Sequence, residues 1–122
     1  MTDKSYALCG VPILECDAQG PVVRTGADAT DLISAAWSHK AELVVVPLAR
    51  LDEGFLTLST RIAGEIIQKF VTYGLRLAIL GDIGEASARS AALRDFVYES
   101  NRGRHVWFVP DLDALQERLA RG

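Results

Sequence analysis

Residues 41–83 constrain the fold of this chain more than any other segment does. They contain, in order, an apolar run at 43–46, a polar turn, an amphipathic helical stretch and a second apolar run at 77–80. Neither run alternates with polar residues, which is typical of strands that are covered on both faces. A strand, a helix and a strand in this order predict a βαβ unit with two parallel strands.

The residues before this unit predict two further strands and a helix. Residues 6–9 and 11–16 are short apolar stretches, and we interpret them as β segments. Thr25 and Asp28 have the spacing of a capping box, and the apolar residues that follow them recur on one helical face. We therefore predict a first helix over residues 26–38.

The rest of the chain continues the alternation of helix and strand. The second helix ends at Gly74, a residue type that is favoured just beyond helix C-termini. Ser87 or Ser90 can cap a third helix, and residues 105–109 are predicted to form a strand. Asp111 can cap a last helix, which completes the order ββαβαβαβα.

This order predicts a single α/β domain over residues 1–122. Right-handed crossovers give a mostly parallel sheet of about five strands with helices packed on it, in the form of a sandwich. A chain of 122 residues can bury one core without further support, and a composition of 49% hydrophobic and 24% charged residues is that of a globular protein.

The charge distribution argues against nucleic-acid and membrane partners. Thirteen Lys and Arg residues face sixteen Asp and Glu residues, and the basic residues are scattered apart from a cluster of Arg102, Arg104 and His105. Nucleic-acid-binding proteins usually carry a basic face. No apolar run approaches the length of a membrane span, and polar residues follow Met1 where a signal peptide needs apolar ones. We therefore expect a cytoplasmic protein.

No motif predicts a metal, a cofactor or a catalytic residue. Cys9 and Cys16 are separated by six residues, which fits neither a CxxC redox pair nor a zinc site. The segment GDIGEAS at 81–87 matches no phosphate-binding pattern, because such loops have small or basic residues where this segment has Glu85. These patterns favour a binding role over an enzymatic one.

Ser59 and Thr60 are the candidate switch residues. They precede the second helix, where backbone N–H groups are exposed and the helix dipole is positive. A phosphoryl group or another anion at this position would gain hydrogen bonds and would change the surface charge by about −2. In the simpler interpretation one of the two hydroxyls only caps the helix.

The outer face of the second helix is a candidate partner surface. Its polar residues could contact another protein, or they could simply be solvated. The predicted surface comprises Thr57, Arg61, Glu65, Gln68 and Lys69. Trp37 and Trp107 fit core positions of a helix and a strand, and use in an interface is the lesser alternative.

A crevice after the strand that ends at Gly81 is the alternative site. Open α/β sheets usually place ligands beyond the carboxyl ends of their strands. The polar residues that could share this crevice are Asp82, Glu85, Glu99, Asn101 and Arg102. Asp82 also fits an ordinary turn or cap.

The segments AGEIIQKFVTYG, LGDI and FVYESNRG carry a resemblance that spans nearly the whole chain. In these segments the chain resembles a bacterial family known only as a domain of unknown function, DUF4180. The resemblance implies a small cytoplasmic protein and brings no established activity.

A more distant likeness is to the STAS domain, the fold of the anti-sigma-factor antagonists, which has the same ββαβαβαβα order. In that family a partner kinase phosphorylates a serine or threonine at the start of the second helix and thereby breaks a protein complex. Thr60 aligns best with that residue, Ser59 is its neighbour, and Arg61 stands where that family typically has glycine. The likeness implies a protein-binding function.

The leading hypothesis is therefore a regulatory protein-binding module, with a regulator or a kinase as its partner and with phosphorylation at Thr60 or Ser59 as its switch. The alternative is a small-molecule-binding protein or small enzyme that uses the crevice after Gly81. A third hypothesis is an oligomeric scaffold, such as a homodimer that pairs through the N-terminal edge segment or the last helix.

Overall fold

The computed structural model describes residues 3–57 and 61–121. Its centre is one five-stranded sheet in which the strands lie side by side in chain order. The strands are β1 (Lys4–Leu8), β2 (Val11–Glu15), β3 (Leu43–Pro47), β4 (Arg76–Leu80) and β5 (Val106–Val109). β1 pairs with β2 antiparallel, and each later pair is parallel. A mostly parallel α/β sheet confirms the predicted fold class.

Six α-helices and a 3₁₀ helix accompany the sheet in the described residues. They are α1 (Gly26–Ser38), the 3₁₀ helix Leu48–Arg50, α2 (Glu53–Leu56), α3 (Ile62–Thr72), α4 (Gly84–Ala88), α5 (Ala91–Arg102) and α6 (Leu112–Ala120). The first helix has the bounds that its sequence pattern predicts. The 3₁₀ helix, α2 and α4 are not predicted, because segments of three to five residues are too short to show a period. None of the helices in this part of the chain has the length and apolar character needed to cross a membrane.

The direction of winding explains how the helices are distributed. Each connection from β2 to β5 moves one strand in the same direction, and right-handed connections of this kind place their helices on one face. α1, α3 and α5 accordingly share one face, while α6 follows β5 and packs against the other. We call the end of the sheet where β2 to β5 begin the amino end, and the opposite end the carboxyl end. α1, α3 and α5 all finish at the amino end.

The core lies on both faces of the sheet. The larger cluster lies beneath α1, α3 and α5, and its fully buried members include Leu14, Val44, Ile66, Phe70 and Ile79. The smaller cluster lies between the sheet and α6, and it includes Ile13, Leu43, Val45, Trp107 and Leu115. β3 contributes alternate residues to both clusters, which confirms the expectation that its unbroken apolar run is covered on both faces.

Polar side chains cap three helices as predicted. Thr25 Oγ1 accepts a hydrogen bond from the Asp28 backbone (3.3 Å), and the Asp28 carboxylate accepts from the backbone N–H groups of Arg24 (2.8 Å) and Thr25 (3.2 Å). The hydrogen bond from Arg24 is the largest of the causes that lower the pKa of Asp28. Ser90 and Asp111 cap α5 and α6 through their side-chain oxygens.

Helices α1 and α3 end in the same motif with different residues. Gly74 follows α3 in the left-handed region with φ 72°, as expected for a helix stop. After α1, the Ala41 N–H donates to the Ala36 carbonyl (2.8 Å), and the left-handed position is filled by Lys40 with φ 56°. A residue with a Cβ is strained in this region, so the end of α1 carries strain that the end of α3 does not.

Candidate functional site

The candidate switch residues, Ser59 and Thr60, lie outside the described residues. On the near side, Thr57 follows α2 and its hydroxyl donates to the Glu53 carbonyl (3.4 Å). On the far side, Arg61 directly precedes α3 with a left-handed backbone, φ 65°. Arg61 therefore adopts a conformation that glycine adopts without strain. It is the position at which the STAS family typically has glycine, and phosphorylation of the hydroxyl pair stays a prediction.

The predicted partner surface on α3 is shared between solvent and α1. Glu65 reaches across to α1, where its Oε1 accepts a hydrogen bond from the Gly26 N–H (3.0 Å). Lys69 lies beside the same glycine, since a Cβ there would be 3.2 Å from Lys69 Cε. Gln68 points into solvent and donates to the Thr72 hydroxyl (3.2 Å). Glu65 and Lys69 therefore join two helices, and Gln68 is presented to the outside.

Asp82 and Glu85 lie at the carboxyl end of the sheet and have local partners. Asp82 Oδ1 accepts a hydrogen bond from the Gly84 N–H (2.8 Å) at the start of α4. Glu85 lies 3.7 Å from Arg89, one turn further along the chain. Both carboxylates are exposed, and Asp82 has the turn role that its sequence position also allowed.

Glu99, Asn101 and Arg102 lie at the opposite end of the sheet. Glu99 and Arg102 are 3.6 Å apart, and Asn101 Oδ1 accepts a hydrogen bond from the Phe108 N–H (2.7 Å) of the edge strand β5. The 12 residues of α5 cross the sheet from its carboxyl end to its amino end, a length of about 18 Å. The five residues of the predicted crevice are therefore not brought together, and none of them lines either cavity described below.

A buried arginine occupies the carboxyl end instead. Arg50 is 6% exposed, and it donates from Nε to the Pro21 carbonyl (2.6 Å) and from Nη1 to the Asp17 carbonyl (2.8 Å). A Cβ on Gly20 would lie 2.6 Å from Arg50 Cζ, so a side chain at this position would displace the guanidinium from its two carbonyl partners. Arg50 thus fixes the turn that follows β2.

Gly81, at the end of β4, also has a packing role. Its φ of 153° lies in a region that favours glycine, and a Cβ there would lie 2.7 Å from Leu48 Cβ. The 3₁₀ helix therefore packs against the point where a ligand crevice was expected. This contact fills the space directly behind Gly81.

A cavity of about 310 Å³ remains at the carboxyl ends of β2, β3 and β4. Its lining includes Cys16, which is 2% exposed and whose pKa is raised to about 12, first by burial and then by the charge of Asp3. The thiol is therefore neutral at physiological pH and is a poor nucleophile. Glu15 lines the same cavity and accepts a hydrogen bond from the Tyr6 hydroxyl (2.8 Å). Burial, together with this carboxylate, raises the pKa of Tyr6 far above its usual value.

Metal-ligand geometry is not found in this part of the molecule or elsewhere in the described residues. Across residues 3–57 and 61–121, no three His, Cys, Asp or Glu side chains come close enough together to hold a metal ion.

Two aromatic side chains are exposed together at the amino end. Trp37, in the last turn of α1, is 54% exposed, and Tyr73, directly after α3, is 41% exposed. Their ring centroids are 5.1 Å apart at an angle of 79°, an edge-to-face contact. The expectation that Trp37 is a core residue is wrong, because its neighbour Ala36 takes the core position and Trp37 is turned about 100° away. Trp107 is buried, as predicted. We call Trp37 and Tyr73 the aromatic pair.

A groove lined by basic residues lies at the starts of β4 and β5, and its lining includes Val71 and Gly74, on either side of Tyr73 in the chain. Its volume is about 390 Å³. Its lining residues are Val71, Gly74, Leu75, Arg76, Arg104, His105 and Trp107. We call it the basic groove. In the part of the chain that the structure describes, neither Arg76 nor Arg104 forms an ion pair with a carboxylate.

The sequence contains a partial signal for this groove. The cluster of Arg102, Arg104 and His105 is visible in the chain, but Arg76 belongs to a different strand. Only the pairing of β4 with β5 brings it close, because the Leu77 N–H donates to the His105 carbonyl (2.9 Å). Spacing along one chain does not contain that information.

The geometry defines a small α/β protein with a cavity at the carboxyl end of its sheet and with exposed aromatic and basic residues at the amino end. Each connection between its parallel strands moves one strand in the same direction across the sheet. The chain belongs to the family described as Domain of unknown function (DUF4180), whose profile matches residues 9–119. The match confirms the resemblance carried by the segments AGEIIQKFVTYG, LGDI and FVYESNRG. No curated protein and no solved structure matches the chain.

Proposed function

We propose that this protein is a regulatory protein-binding module that contacts its partner at the amino end of the sheet. The aromatic pair carries this proposal. Tryptophan, tyrosine and arginine are the residue types that most often dominate the binding energy of protein interfaces. Trp37 and Tyr73 together present a rigid apolar surface that folding has not buried.

The backbone and the charges around the aromatic pair support the same surface. Lys40 holds a strained left-handed conformation three residues after Trp37, and strain of this kind is concentrated at functional sites. Lys40, Arg76 and Arg104 are basic residues of the same end of the sheet. A partner with acidic residues around an apolar centre would complement them.

We also propose that the module is a STAS-like regulator of the bacterial cytoplasm, switched by a kinase at Thr60 or Ser59. The long strands and helices follow the order ββαβαβαβα, which supports the likeness. α3 begins two residues after Thr60 and ends directly before Tyr73. An interface of ordinary size, about 800 Å² on each partner, can therefore cover both the switch residues and the aromatic pair.

Site-specific photo-crosslinking in cells that naturally contain the protein tests the surface. A photoreactive residue at Ser38, next to Trp37, is expected to capture a partner protein, whereas one at the exposed Asp113 of α6, on the opposite face of the sheet, is not. Trp37→Ala should abolish the capture. Tyr98→Ala is the matched control, because Tyr98 is 62% exposed but lies on α5 outside the aromatic pair. Equal capture from both positions, or equal loss in both variants, would overturn the proposed surface.

The same crosslinking assay tests the switch and the scaffold hypothesis. Thr60→Glu or Ser59→Glu should reduce capture from Ser38, and the corresponding alanine variants should retain it. If the glutamate variants capture as much as the unmodified protein, the kinase switch is refuted. Crosslinks to a second copy alone would favour the homodimer, which light scattering then measures directly.

A further inference from the structure

The basic groove has the size of a small-molecule site and lies outside every site predicted from the sequence. Its volume of about 390 Å³ falls in the range of about 300–1,000 Å³ that ligand pockets occupy. Val71, Leu75 and Trp107 give it apolar walls, while Arg76, Arg104 and His105 provide its polar groups. A mixed lining of this kind is typical of sites that orient a small ligand by a few polar contacts.

Within residues 3–57 and 61–121, Arg76 and Arg104 of the groove have no ion-pair partner. No aspartate or glutamate is among the lining residues, and within the described part of the chain neither guanidinium is paired with a carboxylate. The basic residues in the last turns of the adjacent helices already have other neighbours, because Lys69 lies beside Gly26 of α1 and Arg102 is paired with Glu99. Arg76 and Arg104 are therefore left to attract an anion.

Part of this arrangement is fixed before any ligand binds. The Trp107 indole donates a hydrogen bond to the Gly103 carbonyl (2.9 Å), and the guanidinium of Arg118 lies 4.7 Å from the ring centroid and donates to the same carbonyl (3.1 Å). Arg76 also lies over the ring, at 5.7 Å from its centroid. A cation held against a fixed ring loses less conformational freedom on binding than a free one.

We propose that the basic groove binds a small-molecule phosphate monoester. The phosphate lies between Arg76, Arg104 and His105, and the apolar part of the ligand lies against Val71 and Leu75. A guanidinium matches phosphate oxygens with two parallel hydrogen bonds. A phosphate monoester carries a charge of about −1.5 to −2 at neutral pH, so it can use two guanidinium groups where a carboxylate balances only one. This assignment does not depend on the proposed protein-binding function.

Titration of the ¹⁵N-labelled protein with phenyl phosphate, followed by NMR, tests the proposal. The chain has two tryptophans, so the indole N–H of Trp37 is an internal reference for that of Trp107. Saturable shifts are expected for the Trp107 indole and for the backbone amides of Leu75 and His105, and not for Trp37. Inorganic phosphate should bind more weakly because it has no apolar part, and phenol should cause no shift.

Two arginine variants and one matched control test whether phenyl phosphate binds in the basic groove. Arg104→Gln and Arg76→Gln should each weaken phenyl phosphate binding by about tenfold or more, as expected for the loss of charge-assisted hydrogen bonds. Arg94→Gln removes the same charge from an exposed position at the other end of α5 and should have no effect, and the spectra show directly whether each variant is folded. Equal weakening by Arg94→Gln, a shift of Trp37 as large as that of Trp107, or the absence of saturation would overturn the site. Tighter binding of a phosphoserine peptide than of phenyl phosphate would overturn the assignment to a small molecule.

Discussion

Replacement of Lys40 by glycine should stabilise the protein. Lys40 follows α1 with φ 56°, and its N–H donates to the Trp37 carbonyl (3.0 Å). The end of α3 has the equivalent bond from Gly74 to Val71 (3.1 Å), with φ 72° at the glycine. The two helix ends therefore differ mainly in whether the left-handed residue has a Cβ.

The expected magnitude follows from two opposing terms. A left-handed backbone costs a residue with a Cβ about 1–2 kcal/mol. Glycine loses more chain entropy than alanine on folding, and this loss offsets about 0.5–1 kcal/mol of the free energy gained by removing the strain. Lys40→Gly also removes a cation from a helix C-terminus, and Lys40→Ala removes the same cation while it keeps the Cβ. The glycine variant should therefore exceed the alanine variant by about 1 kcal/mol in unfolding free energy.

Urea denaturation followed by circular dichroism measures this difference. The dependence of the unfolding free energy on urea should be the same in both variants, so that a change in midpoint reports stability alone. Gly74→Ala is the reciprocal test, and it should destabilise the protein by about 1 kcal/mol. A Lys40→Gly protein no more stable than Lys40→Ala would refute the reasoning. If the strain at Lys40 serves partner binding, the more stable glycine variant should also lose photo-crosslinking at the amino end.

Three further predictions concern the rest of the molecule. Gly81→Ala should destabilise the protein by about 1–3 kcal/mol in urea denaturation, because the new Cβ meets Leu48 at a backbone angle that favours glycine; an unchanged midpoint would contradict the packing. Of the two thiols, the exposed Cys9 should react with a thiol reagent at pH 8, and Cys16, with its pKa raised to about 12, should react only after unfolding; equal rates would contradict this. Asp28→Asn should lower stability at neutral pH. Because folding lowers the pKa of Asp28, the ionised carboxylate stabilises the protein fully at pH values above the usual pKa of 3.8. This stabilisation disappears as the pH falls through the pKa of the folded state, so the unfolding free energies of the variant and the unmodified protein should converge in acid. A difference in stability that persists in acid would contradict the prediction.

The sheet and the long helices could be predicted because their signals are local. The unbroken apolar run of β3 shows that both its faces are covered, and the capping box of Thr25 and Asp28 places the start of α1. Gly74 marks the end of α3 for the same reason, since left-handed helix stops favour glycine. Lys40 occupies the equivalent left-handed position after α1. Lysine is not a residue type that marks a helix end, so this conformation is visible only in the structure.

The amino-end surface could not be predicted because its residues come from different elements. Trp37 lies in α1 and Tyr73 directly follows α3, and the fold brings these two helix ends side by side, while Arg76 reaches the cluster at Arg104 and His105 only through strand pairing. The separation of the five predicted crevice residues was hidden for a related reason. Asp82 follows β4 at the carboxyl end and Asn101 lies in the last turn of α5, but the chain alone does not show that α5 runs from one end of the sheet to the other.

The winding of the sheet accounts for where the exposed chemistry lies. An open α/β sheet binds ligands beyond its carboxyl end when loops diverge there and leave a crevice. Here β2, β3 and β4 send their connections to the same face, and Arg50 and the Leu48–Gly81 contact fill part of that end above the larger core, beside the cavity lined by Cys16. At the amino end the chain passes from α1, α3 and α5 into β3, β4 and β5. Each of these connections leaves exposed side chains beside those of the adjacent connection. A search for the partner and the ligand of this protein should therefore start at the amino end of the sheet, where the exposed aromatic pair and the basic groove both lie.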